Sequence, residues 1–86
     1  MKSFHHTMQT NYPMLFGTAG HLAELAHCYP DTTCVLEMGT RRADISRPMN
    51  LMTLGVRKGD RVTVSVEGPS ETELAEVLYD YFDCAM

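Results

Sequence analysis

Tryptophan is missing from these 86 residues, and phenylalanine and tyrosine are so few that aromatics make up only 8% of the chain. An interior must then be filled mainly by aliphatic side chains. No apolar run approaches the roughly 20 residues that a bilayer-spanning helix needs, so no membrane partner is expected. The opening residues, Met1-Lys2-Ser3-Phe4-His5-His6, lack the apolar centre of a secretion signal. Three cysteines, Cys28, Cys34 and Cys84, are an odd number with no Cys-x-x-Cys or His-x-x-x-His pair. That spacing makes a tetrahedral metal site hard to assemble, and it points to free thiols in a reducing cytoplasm with neither metal nor cofactor. Gly-rich phosphate loops, nucleophile elbows and triad spacings are absent as well.

Positive charge is also scarce: seven basic residues stand against eleven acids, for a net charge of −4. A nucleic-acid-binding domain would show a basic excess, so that class is disfavoured. The charge is unevenly placed. Arg41, Arg42, Arg47, Arg57, Lys58 and Arg61 crowd into the middle, while Glu71, Glu73, Glu76, Asp80 and Asp83 fall in the last sixteen residues. Two-ended charge of this kind suits docking onto a protein with an acidic patch.

What is present is the balance of an ordinary globular protein, 44% hydrophobic and 21% charged. The length allows a single domain over residues 1–86 with one core, and a monomer is the default expectation. Phe4, His6 and Met8 alternate with Ser3, His5 and Thr7, which predicts a first strand from Lys2 to Gln9. Asn11-Tyr12-Pro13 breaks the chain within an irregular stretch from Thr10 to Gly17. Thr18 to Tyr29 reads as a helix capped by Thr18, with Ala19, Leu22, Ala23, Leu25, Ala26 and Tyr29 on its inner stripe and His21, Glu24, His27 and Cys28 opposite. A second strand follows over 33–38, with Cys34, Leu36 and Met38 on one face, and a short third strand over 41–45 turns Ala43 and Ile45 inward.

Pro48 then opens a short helix, since proline is tolerated in a first helical turn. Gly55 is suited to the left-handed conformation that helix ends often need. Lys58-Gly59-Asp60 is a turn, and Val62, Val64 and Val66 alternate with polar residues as a fourth strand. The last helix begins at Ser70, where Glu73 would complete a capping box, and Leu74, Val77, Leu78 and Tyr81 form its inward stripe. Sheets with one apolar face need a covering layer. The expected fold is α+β: a two-layer open-faced sandwich, β-α-β-β-α-β-α, with a four-stranded antiparallel sheet and three helices on one face.

The run Met49-x-Leu51-Met52-Thr53-Leu54-Gly55-Val56-x-Lys58-Gly59-Asp60, then Val62-Thr63-Val64 and Gly68 before an acidic helix, resembles HPr, the phosphocarrier of the bacterial sugar phosphotransferase system. The likeness is strong over about residues 39–86 and weak before them. It implies the same order of elements and, in an active member, a histidine in a Gly-x-His-Ala-Arg-Pro-Ala motif at the start of the first helix. There the unpaired backbone N–H groups and the arginine would hold a phosphoryl group on the imidazole.

Aligned upstream from Tyr29, that motif falls on Pro13-Met14-Leu15-Phe16-Gly17-Thr18-Ala19, where only Ala19 matches. Leu15 takes the histidine's place and Gly17 the arginine's, and leucine has no lone pair for phosphorus. His21, after Gly20, echoes the motif, but that register would delete about six residues, nearly two helical turns. A solvent-facing helix histidine is the plainer reading of His21. His5 and His6 are strand neighbours and point to opposite faces.

The resemblance implies two further sites. A serine before the middle helix is phosphorylated by a kinase in many relatives; Arg47 falls in its slot and Ser46 one residue earlier, where a capping hydroxyl is the plainer role. Apolar residues on the middle helix dock partner proteins in the family, which implicates Met49 and Met52 with Arg47, Arg57 and Lys58 unless the methionines plug the core. The expected function is a regulatory or protein-interaction homologue lacking the phosphoacceptor, more plausibly not an enzyme. The alternatives are a phosphocarrier that uses His21 and an interaction domain unrelated to sugar transport.

Overall fold

The computed structural model describes residues 1–9 and 16–85. Its elements are β1 (Lys2–Thr7), α1 (Phe16–His27), β2 (Thr33–Met38), β3 (Arg41–Asp44), α2 (Pro48–Thr53), β4 (Arg61–Glu67) and α3 (Glu71–Ala85). The four strands form one antiparallel sheet in the order β1-β4-β2-β3, so the last strand in sequence lies between the first and the second. This is the open-faced α+β sandwich expected from the alternation.

Register explains the two faces. Phe4 pairs with Val64 and Val64 with Leu36, while Leu36 pairs with Ala43, so one inward row crosses all four strands. Val62, Val64, Val66, Cys34, Leu36, Ala43 and Ile45 are buried against Leu22, Leu51, Leu74, Leu78 and Phe82 of the helices. The parallel outward row, His5–Thr63–Glu37–Arg42, is polar. Helices therefore cover one side only.

Helix bounds differ from the sequence reading at their ends. Helix α1 starts and stops two residues earlier than expected, and Thr18 lies within its first turns instead of capping it. The amides of Cys28 and Tyr29 bond to Leu25 and Ala26 three residues back, tightening the last turn before Pro30. Strand β3 ends at Asp44, although Ile45 is fully buried beyond it. At α3 the capping box does not form. The Ser70 hydroxyl makes no hydrogen bond among the described residues; its amide donates to Thr32 Oγ1 at 3.0 Å. Glu73 instead stands beside the Tyr29 phenol, whose pKa is raised by partial burial first and by that carboxylate second.

This junction is tight because Gly68 has φ +146°, and a Cβ there would lie 2.7 Å from Thr32 Cα and 2.8 Å from the Asp31 carbonyl oxygen. Gly68→Ala is expected to lower the unfolding free energy by about 2–3 kcal/mol, through strain and displacement of the 31–32 turn. Gly20 sits in α1 with open space around it, so Gly20→Ala should instead stabilise by about 0.5–1 kcal/mol. Urea unfolding of both variants checks the contrast.

Candidate functional site

Helix α2 is only six residues long, so it can turn a single side inward. Leu51 and Leu54 take that side and are buried. Met49 and Met52 face away, 64% and 36% exposed, so they do not plug the core. Arg47, Arg57 and Lys58 are exposed on the same segment and the turn after it. That turn is built by Asp60, whose amide bonds to the Arg57 carbonyl while its carboxylate accepts from the Arg57 amide. Gly55 follows the helix with φ +69°, the left-handed value expected of it.

Two long-range contacts hold α2 in place. Arg41 of β3 donates to the Leu54 carbonyl at the helix end, 3.1 Å away. At the other end, His27 Nε2 lies 3.1 Å from the Ser46 carbonyl oxygen. A carbonyl only accepts, so Nε2 carries the proton in this contact. Neither partner was among the sequence candidates. Separations of 13 and 19 residues leave no local signal.

Ser46 does not cap α2. Its hydroxyl donates to Asp44 Oδ1 at 2.7 Å and its amide to the same oxygen at 2.9 Å, an Asx-type turn. Arg47 is the N-cap, with an extended backbone and no side-chain cap bond, as expected before a proline. Arg47 therefore borders the helix, and Ser46 is tied back to β3.

Beside this turn a cavity of about 380 Å³ is lined by His27, Tyr29, Thr32, Cys34, Asp44 and Ser46. Burial, and secondarily the Asp44 carboxylate, push the Cys34 thiol up to about 12. Since the thiolate is the reactive form, Cys34 is a poor nucleophile. Cys28 and Cys84 are exposed and free. Among the described residues no group of three His, Cys, Asp or Glu side chains could hold a metal ion.

At the other end of α1, Gly17 lies in the first turn and Ala19 is buried, while Leu15 is outside the described residues. His21 is exposed, as expected, but its ring stacks on Tyr81 of α3 with centroids 4.7 Å apart. His5 and His6 do face opposite ways: His5 Nδ1 meets Thr63 Oγ1 at 2.9 Å, and His6 packs on Phe82. No helix of the described residues is long and apolar enough to cross a membrane.

The family model described as "PTS HPr component phosphorylation site" matches residues 17–83. Similar solved structures include HPr-C-His from Thermoanaerobacter tengcongensis, 23% identical with TM-score 0.87, covering 96% of this chain and 92% of that one. The histidine-containing phosphocarrier protein of Mycoplasma is 15% identical with TM-score 0.90, covering 98% and 96%. Crh, the Bacillus subtilis catabolite repression protein described as a domain-swapped dimer, is 23% identical with TM-score 0.78, covering 90% and 87%. No curated protein sequence matches the chain.

The buried thiol has a pH signature. The folded state keeps a proton that the unfolded chain releases near pH ~8.5, so stability should fall as pH rises from there toward about 12. Cys34→Ala should flatten that alkaline slope in urea titrations. In the folded wild type, iodoacetamide should modify Cys28 and Cys84 and spare Cys34.

Proposed function

The chain belongs to the HPr family of the bacterial sugar phosphotransferase system, and from that premise we propose that it acts by docking to partner proteins instead of carrying a phosphoryl group. One feature of the sequence supports this reading: aligned upstream from Tyr29, Leu15 takes the place of the family's phosphoacceptor histidine and Gly17 that of its arginine. An aliphatic side chain cannot attack phosphorus, and glycine brings no guanidinium to hold the product. On this reading residues 1–86 are one domain that has kept the fold and lost the chemistry.

The docking surface is α2 and the turn behind it. An exposed methionine pair beside Arg47, Arg57 and Lys58 offers an adaptable apolar centre with a basic rim. Such a surface suits a partner with an acidic rim around an apolar depression. A regulatory role of the kind that Crh's description as a catabolite repression protein names is part of this proposal. Ser46 fits a phosphorylation switch poorly. A phosphoryl group there would exchange an O–H donor to Asp44 for oxygens that repel its carboxylate.

His21 is a rival acceptor, exposed on α1. Its ring, however, rests on a helix carrying five acids and no base, surroundings that repel a phosphoryl dianion.

The deciding assay incubates the chain with phosphoenolpyruvate and the first enzyme of the system. No acid-labile, base-stable phosphoryl group is expected; its appearance on any histidine would overturn the proposal, and loss in His21→Ala would identify the rival. For the docking surface, Met49→Asp and the pair Arg57→Glu/Lys58→Glu should each weaken partner binding by about 1–3 kcal/mol without changing the unfolding midpoint. A partner retained by every variant would count against this surface.

A further inference from the structure

The two edges of the sheet are treated differently. Strand β3 is four residues long, bears Arg41 and Arg42, and is tied to α2 through the Arg41–Leu54 bond. Short length and paired arginines are the usual guards against pairing with another chain. Among the described residues, strand β1 has no such guard beyond Lys2 at its start. It runs for six residues in unbroken register with β4, without a bulge or a proline. In an antiparallel pair, alternate residues turn both N–H and C=O away from the partner. Met8 bonds to the β4 side, so in β1 these are Ser3, His5 and Thr7, and among the described residues only the Thr7 carbonyl is taken, by Gln9 Nε2 at 3.1 Å.

Beside that edge lies a groove of about 410 Å³ between β1 and α3. Its floor is Phe4 and Ala75, and its outer wall is Tyr79, 53% exposed and held edge-to-face against Phe4 at 5.3 Å. The ionisable groups lining it are Lys2, Glu76 and Asp80. Glu76 and Asp80 are exposed four residues apart on α3, which carries no basic residue to neutralise them. We propose that the free edge of β1 and this groove receive an extended, lysine- or arginine-bearing segment of a partner protein by strand addition. Backbone pairing supplies the register, Glu76 and Asp80 meet the cationic side chains, and the Tyr79 ring offers a cation–π face. A second copy of the chain fits less well. Two-fold pairing of β1 with β1 would bring two such carboxylate pairs together across the seam. The proposed site is separate from α2 and does not depend on how that helix is used.

The test uses an octapeptide alternating threonine and lysine, its threonine–glutamate counterpart, and a lysine version N-methylated at alternate amides so that it cannot add as a strand. Amide shifts of the isotopically labelled chain are followed during titration. The lysine peptide should saturably shift the amides of residues 2–7 and of Tyr79, more weakly as salt rises, while the two control peptides should not. Glu76→Lys/Asp80→Lys, both on the surface, should weaken binding at least about tenfold with the unfolding midpoint unchanged. Four results would each overturn the proposal: no saturable shift up to millimolar peptide, shifts centred on α2, equal binding by the control peptides or by the double variant, or a free chain that sediments as a dimer with its β1 amides already protected from exchange.

Discussion

Everything in this molecule follows from one constraint: β4 is buried on its inner face from end to end. Val62, Val64 and Val66 are fully enclosed, and β4 is hydrogen-bonded on both sides, to β1 and to β2. Fully burying a valine contributes about 1.5–3 kcal/mol relative to leaving it exposed, so the three together can exceed a small domain's net margin of stability. Covering them takes helices on one side only, because the alternate residues Thr63 and Ser65 carry hydroxyls and are satisfied on the open face by His5 and Glu37.

Once the helices are committed to one face, their lengths decide what stays outside. Helices α1 and α3 have 12 and 15 residues, enough to bury a full stripe each. Helix α2 has six and buries Leu51 while turning Met49 to solvent. So short a helix would not persist in isolation. It is held by tertiary bonds at its two ends, from Arg41 to the Leu54 carbonyl and from His27 to the turn before it. Its exposed apolar surface results from length and anchoring together.

The same geometry separates the two charged ends of the chain. Basic residues collect on β3, at Arg47 before α2 and on the turn after it, whereas acids collect on α3 next to β1, at the opposite edge of the sheet. Strand order produces this separation. Insertion of β4 between β1 and β2 places the N-terminal strand beside the C-terminal helix and leaves β3 as the far edge. Two surfaces of opposite sign result.

Patterns confined to one element were legible in the sequence by itself. Period-two alternation marked all four strands and their inward residues, the spacing of Leu74 and Leu78 marked the inner side of α3, and proline and glycine marked the limits of α2. The family likeness rested on the same contiguous runs. Contacts between elements were not legible. Ser70 and Glu73 spell a capping box, yet Thr32 and Tyr29, from elsewhere in the chain, reach them first; Ser46 carries a good capping side chain, yet the Asx-type turn with Asp44 two residues before it takes its hydroxyl. Local propensity at these positions is worth about 1 kcal/mol, and a nearby buried or charged partner readily outbids it. Only the packed chain decided which donors met which acceptors, which methionines stayed in water, and which edge of the sheet was left open.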